Sequence, residues 1–518
     1  NSLQGYNTGW CTAGSKETAK SQICGGSSYM GGDFYVYYTK DKNGEYKIPR
    51  IAIRMDREQI GEIRGIAEDQ NIESNMEKVL EEKLKEFSDG KSYQKKIHDM
   101  KILTEIYNNS QKRELTKEEL SFLYEKNEEI LGFGYQKDPR IYEIKDSRDK
   151  RKDLSLVYNC DESEIGLIEE DLYKKQLVYY NGYIDNSMYY KLKKVHLELP
   201  MILNAGLLLQ EIENDKDLIL PQSVGGSLDL SSLTSVNGLV LPKRIGNSIK
   251  LGRLTVAKNL SFPQSIDGYL NLRSLTSAEG LTLPQSVGGC LDLRSLISAK
   301  GLILPQSVSG ALDLRSLISA KGLTLPEHIG SYLDLRSLTS AEGLTLPQSV
   351  GGYLNLSGLT SAEGLILPPK MTGNLDLDCL ISAKGLTLPE HIGGDLDLSS
   401  LTSVEGLVLP KSIGGILNLN SLTSAEGLIL PQSVGEHISL RNLASLKGLS
   451  FPQNINFTIV YKEHVYSLEE LKELQKQEDN NKKLIKDNRK GFTTGIFTIT
   501  FVLFVTILSI LIGMLLVK

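Results

Sequence analysis

Thirteen prolines, at positions 200, 221, 242, 263, 284, 305, 326, 347, 368, 389, 410, 431 and 452, follow one another at a constant interval of 21 residues. A strict period of about 20 to 50 residues marks an array of stacked units, and it constrains the fold more tightly than any local propensity. The unit Pro284–Leu304 reads PQSVGGCLDLRSLISAKGLIL; with Pro as position 0, apolar residues recur at 3, 7, 9, 12, 15, 18 and 20. Triplets such as Leu291-Asp292-Leu293 and Leu302-Ile303-Leu304 alternate in, out, in, and each is too short for a helix. Each unit is therefore expected to be one coil with two short strands, at positions 7–9 and 18–20, and tight corners. Stacked coils align such strands into parallel sheets and bury rows of leucine between them. At a parallel spacing of ~4.8 Å, about twelve coils would extend about 55 Å.

The corners repeat as well. Position 17 is Gly at 238, 280, 301, 322, 343, 364, 385, 406, 427 and 448, with Asn259 the exception once the degenerate first coil is set aside. Gly and Asn are the residues that tolerate a left-handed backbone, so this slot is predicted to hold a positive φ. Position 14 is Ser from Ser235 and Ser277 through Ser445, with Val256 the exception. A small hydroxyl there can satisfy corner groups that lack a strand partner.

The pattern LxLxxLxSxxGLxLPxxIGG, over roughly 200–459, resembles bacterial short leucine-rich repeats and their β-solenoid relatives. The resemblance implies a parallel β-solenoid. The chain departs from that family in its Ser row, where leucine-rich repeats carry Asn, and in lacking the LxxL spacing before the strand.

Position 8 points outward between two leucines. It is Asp at 229, 292, 313, 334, 376 and 397, and Asn at 271, 355 and 418. Position 10, also outward, is Arg at 273, 294, 315, 336 and 441. These rows admit two readings. One is a solvated cross-coil ladder that offsets like-charge repulsion along each row. The other is a partner-binding face carried by Asp292, Arg294, Asp313, Arg315, Asp334 and Arg336, since such arrays expose long regular surfaces. His328 and His391 share position 2 but lie three coils apart, too far to ligate one metal, and Cys290 and Cys379 fill ordinary variable slots.

Residues 491–517 carry no charge, a run longer than the ~20 residues that cross a bilayer core, and a single transmembrane helix is expected there. Lys482, Lys483, Lys486, Arg489 and Lys490 precede it, which places the N-terminal bulk in the cytoplasm and offers cations to anionic headgroups. Upstream, Ser467 and Glu470 form a capping-box pattern that opens a polar helical stalk, within residues 460–490.

Residues 1–110 read as a small α+β head. Strands are expected at Phe34–Tyr38 and Arg50–Arg54 around a Lys42-Asn43-Gly44 turn, with a third at Gln59–Ile66. Helical patterns follow at 72–88 and 92–108, and Thr116 with Glu119 caps a further helix to about 131. Residues 111–199, with YYNGY at 179–183, form a helical linker and the solenoid cap. Trp10-Cys11-Thr12, the strand from Asp33 to Tyr37, Pro49 to Arg54, Glu62 to Gly65 and Asp69 to Asn71 look like the core of PcfJ-like proteins. That resemblance implies a mobile-element context and supplies no catalytic residue.

Two activities can be considered for the head from its residues. A Cys11 nucleophile would need a histidine, and only His98 and His196 precede the array, neither in a local motif. Arg50, Arg54 and Arg64 beside Tyr35 and Tyr37 could bind phosphate or single-stranded nucleic acid, or simply solvate the sheet. No phosphate-loop, dinucleotide or HExxH motif is present, and no cofactor or metal is expected. The 58 basic and 64 acidic residues leave a net charge of −6, which argues against binding nucleic acid through a whole-chain basic field. Five cysteines without a CxxC pair exclude a disulfide scaffold. The chain opens on Asn1 rather than Met, as a processed product or fragment would. The expectation is a membrane-anchored scaffold or recognition arm for protein partners, with no enzymatic step assigned. A tethered enzyme or nucleic-acid-processing head, and an effector inserted in a host membrane, stand as alternatives.

Overall fold

The computed structural model describes residues 34–56, 59–66, 72–87, 89–133, 136–236, 238–452 and 457–480, and the chain divides after Ile165 into two compact units. The N-terminal unit opens with an antiparallel meander, β1 (Phe34–Lys40), β2 (Tyr46–Asp56) and β3 (Gln59–Gly65). Gly44 turns the first hairpin at φ 83°, as the Lys-Asn-Gly sequence requires. Ile51, Ile53 and Met55 alternate onto one face and pack against Leu80 and Leu84 of α1 (Glu77–Leu84) and Tyr93 of α2 (Gly90–Ser110). A second core gathers Leu103 and Ile106 of α2 with Leu120 and Leu123 of α3 (Lys117–Leu123), Ile141 and Ile144 of α4 (Pro139–Asp146) and Val157 of α5 (Lys150–Tyr158). The Thr116–Glu119 capping box forms as expected, but α3 ends at Leu123 rather than near 131, because Glu125 turns left-handed at φ 54°.

The second unit is a parallel β-solenoid of about 13 turns. Its main sheet has 15 strands; each repeat coil contributes positions 7–8, as at Leu291–Asp292 paired with Leu312–Asp313, and the pairings between repeat coils step by 21 residues. The second strand of each coil is not where the alternation suggested. It lies at positions 2–3, as at Ser286–Val287 paired with Ser307–Val308, just after the proline. Positions 18–20 do alternate, with Leu302 buried and Ile303 exposed, yet only isolated bridges form along them. The reason is donor supply. The position-18 N–H turns back into its own coil, as Leu302 N–H does to Ala299 O at 3.0 Å, and the proline two positions beyond 19 has no N–H at all.

The corner expectations hold. Every named position-17 glycine has a positive φ, Asn259 sits at 64°, and Asp217 of the degenerate first coil takes the same conformation at 61°. The Ser row acts within each coil: Ser298 Oγ accepts the Lys300 N–H at 3.2 Å and Ser361 Oγ the Glu363 N–H at 3.2 Å. At position 4 the coils approach so closely that a Cβ on Gly414 would lie 2.0 Å from Gly393 O.

The array begins before Pro200. Tyr179–Tyr180 pairs with Ile202–Leu203 and Ile184–Asp185 with Leu207–Leu208, a longer coil that carries the helix α6 (Asn186–Lys194). At the other end a hairpin, Thr458–Tyr461 with His464–Tyr466, closes the sheet. The Ser467–Glu470 capping box is present, with the Ser467 N–H donating to Glu470 Oε2 at 2.8 Å. The helix it opens, 468–480, does not stand clear as a stalk over its described length. It covers the last coil: Leu471 is buried in the solenoid core, Gln475 donates to the carbonyls of Leu446 and Leu449, and Glu478 accepts from Ser445, the Leu446 N–H and Tyr461. The apolar end of a solenoid must be covered, and this helix does so. The 491–517 segment and its basic flank lie outside the described residues, among which no helix is long and apolar enough to cross a membrane.

Candidate functional site

The outer face of the main sheet is built from positions 6, 8 and 10, set opposite the buried leucines by strand alternation. The position-8 residues point away from the core, but they do not form an exposed row. Asp313 and Asp334 are each 2% exposed and Asp229 is 1% exposed. Two things draw them in. First, each carboxylate accepts the backbone N–H two residues on, as Asp313 Oδ1 does from Arg315 at 3.2 Å and Asp334 Oδ1 from Arg336 at 3.2 Å, a local turn of the kind Asp favours. Second, the position-10 guanidinium folds over it. Arg315 Nε lies 2.9 and 3.0 Å from the two Asp313 oxygens and Nη2 lies 2.6 Å from Oδ2.

Arg294 grips Asp292 and Arg336 grips Asp334 in the same geometry. The ladder across coils is weaker, at 3.9 Å from Arg294 Nε to Asp313 and from Arg315 Nε to Asp334. The charge row is thus chiefly a set of in-coil clamps, which raise all three arginine pKa values through the hydrogen bonds to their aspartates. The arginine side chains remain 34 to 45% exposed, and Nη1 of each makes no hydrogen bond among the described residues. The outer groups of these three coils are therefore guanidiniums, and the aspartates beneath position them.

Further along, the same positions change character. Position 10 becomes Asp378, which lies beside Asp376 and precedes Asp395 and Asp397 in the next coil. Burial pushes the Asp376 carboxyl up, and the charges of Asp378 and Asp397 add to it, against hydrogen bonds from Tyr353 and the Asp378 N–H. Asp378 Oδ1 is buried without a partner. The sign change at position 10 was legible in the repeat register, whereas the Tyr353–Asp376 hydrogen bond, which joins position 6 to position 8 of the next coil, was not. No group of three His, Cys, Asp or Glu side chains among the described residues could hold a metal ion.

The remaining candidates are dispersed. His328 and His391 each hydrogen bond a serine one coil on, Ser349 at 2.9 Å and Ser412 at 2.6 Å. Cys290 Sγ accepts the Ala311 N–H, and burial raises the Cys379 thiol pKa. Cys11 lies outside the described residues; His98 and His196 are both exposed.

The arginine–tyrosine platform of the head does not form. Tyr35 and Tyr37 pair with Ile53 and Ile51 and share their face, whereas Arg50 and Arg54 alternate to the other, where Arg64 joins them opposite Ala52. Arg50 is held by Glu73 at 2.9 Å, and Glu62 lies against both Arg54 and Arg64.

No family model matches the chain, and no curated protein or solved structure matches it either.

Proposed function

We propose that this is a membrane-anchored repeat protein whose solenoid serves as a recognition arm for protein partners. The observation that carries the reading is the row of guanidiniums at Arg294, Arg315 and Arg336, each immobilised on a buried or half-buried aspartate. A clamped arginine has already lost much of its rotamer freedom, so a carboxylate or phosphate that meets it gives up less entropy on binding. The solenoid is one continuous core, capped at its C-terminal end, which favours a rigid display surface. The long regular face of a stacked array points the same way, and the PcfJ-like resemblance adds a mobile-element setting without an activity.

The anchor is the uncharged segment 491–517, with Lys482, Lys483, Lys486, Arg489 and Lys490 against the cytoplasmic leaflet and the N-terminal bulk on that side. Nucleic-acid binding at the head is not part of this proposal, because its arginines are paired with glutamates and face away from the tyrosines.

The test is a pull-down in mild detergent, comparing the full chain with one carrying Arg294→Ser, Arg315→Ser and Arg336→Ser. Serine occupies position 10 naturally at Ser231, Ser357 and Ser399, so the coils are expected to fold. A protein captured by the wild type and lost from the triple variant supports the proposal. An unchanged set of partners makes the array a spacer.

A further inference from the structure

We propose that one corner edge of the solenoid, carrying positions 16 and 19, pairs with the same edge of a second copy of this chain, the two arrays running antiparallel. This edge does not include the arginine row, so the pairing goes beyond the recognition reading and does not rest on it. From the coil of Pro242 to that of Pro389, position 16 reads Lys258, Glu279, Lys300, Lys321, Glu342, Glu363, Lys384 and Glu405. All of these are exposed. Unlike Arg294, Arg315 and Arg336, none of them has an ion pair or a side-chain hydrogen bond among the described residues. The corners hold them in line. A position-14 serine accepts the N–H of Lys300 at 3.2 Å, Lys321 at 3.3 Å, Glu342 at 3.1 Å and Glu363 at 3.2 Å. The glycine after each of these four has a φ between 76° and 81°.

A two-fold axis lying in this edge, along the course of a coil and between the coils of Pro305 and Pro326, reverses the order of the coils. It leaves each position opposite its own kind, as an isologous contact requires. Lys321 then meets Glu342 of the partner, Lys300 meets Glu363, Lys384 meets Glu279 and Lys258 meets Glu405, and each pair recurs on the other side of the axis. No like charges face each other over these coils. Within one chain, by contrast, Lys300 stands beside Lys321 and Glu342 beside Glu363, like charges on neighbouring coils that repel. The partner gives each of them an opposite charge. The complementarity ends further out, where Lys216 would meet Lys447.

The neighbouring row obeys the same symmetry without being chosen for it. At position 19, Thr324 comes opposite Thr345, Ile303 opposite Ile366 and Thr282 opposite Thr387, with Ser261 against Val408 the one mismatch over these coils. Ile303 is 79% exposed and Ile366 80%, so the pairing covers two large apolar side chains that the single chain leaves in water. One coil further out, Val240 meets Ile429, both also exposed. At ~4.8 Å per coil the charged stretch is about 38 Å long, and the patch is on the order of 450 Å² per copy, the size of a weak, reversible contact.

The test is sedimentation velocity of the full chain in mild detergent at low and high salt, with Lys321→Glu and Glu342→Lys alongside, alone and mixed. Both residues are exposed and both types occupy position 16 naturally, so the coils keep their fold, which circular dichroism checks. The expected result is a concentration-dependent dimer at low salt that dissociates at high salt. Each single substitution sets like charges opposite on both sides of the axis and weakens the dimer about tenfold or more. Mixed together, the two variants face each other with opposite charges, and a heterodimer forms at a concentration where each alone is monomeric. A chain that stays monomeric at low salt overturns the proposal, as does a dimer indifferent to both substitutions, which would be held by another surface. Variants that lose the dimer and do not recover it on mixing also overturn it, because the effect then lies within one chain.

Discussion

In the solenoid a side chain meets its own kind one coil away: Leu291, Leu312 and Leu333 are paired neighbours in the main sheet and all 0% exposed. In the N-terminal unit the important contacts occur once. Asp153, 2% exposed, holds Arg148 through two bonds of 2.8 Å and accepts from the Tyr124 hydroxyl; Asp99 holds Lys95 and the Leu131 N–H. Repetition spreads the stability over many similar interfaces, so one departure such as Val256 in the Ser row is absorbed. A unit built on single nodes has no such reserve, because removing one partner of a buried charge pair leaves the other uncompensated.

The sharpest way to break this contrast is a cavity in the array. Leu314→Ala, at a fully buried position, is expected to cost about 3 kcal/mol. Hydrogen exchange should show the loss confined to the coils around Pro305. Loss of protection over the whole solenoid would mean that the coils unfold as one block and that the additive picture is wrong.

A smaller effect separates backbone strain from crowding. Gly364 has φ 79° and nothing within 4 Å of where a Cβ would stand. Gly364→Ala should therefore lower the unfolding free energy, read from the denaturation curve, by the left-handed penalty alone, about 1 to 2 kcal/mol. Gly364→Asn should lose less, as Asn259 shows at the same slot. Equal losses for the two variants would put the cost elsewhere.

The smallest expected effect lies in the other unit. Hydrogen bonding from Arg113, against some desolvation and with help from the Thr116 N–H, lowers the Glu119 pKa from 4.5 to about 2. A depressed carboxyl stabilises the fold fully above its unfolded value and ceases to do so below its folded one. The stability advantage of wild type over Glu119→Gln should therefore shrink as pH falls from 4.5 to about 2. Its size is modest, since Arg113 is exposed to screening. A difference in urea midpoint that does not change over this range would remove the charge from the account of this helix cap.

Much of the architecture was legible because the repeat states it many times over. Position 17 predicted a left-handed corner from residue type alone, since only Gly and Asn occur there after the first coil. Leu291-Asp292-Leu293 announced its strand correctly. Leu302-Ile303-Leu304 did not, because alternation records which side chains are buried and says nothing of where the N–H groups point. The charged rows were found by register, and their exposure was misjudged for a related reason. An outward direction does not make a residue accessible when a longer neighbour, here Arg315 over Asp313, folds across it.

The sequence by itself determined the period, the buried leucine rows, the left-handed corners and the order of charges along the outer face, because each depends on residue type at a fixed register. Only the tertiary structure decided which two segments of a coil carry the ladders, that Asp313 and Asp334 lie beneath their arginines, that Arg50 and Tyr35 occupy opposite faces, and that the helix at 468–480 covers the last coil. Those outcomes turn on which donors meet which acceptors across coils and strands, and such partners are settled only when the chain has folded.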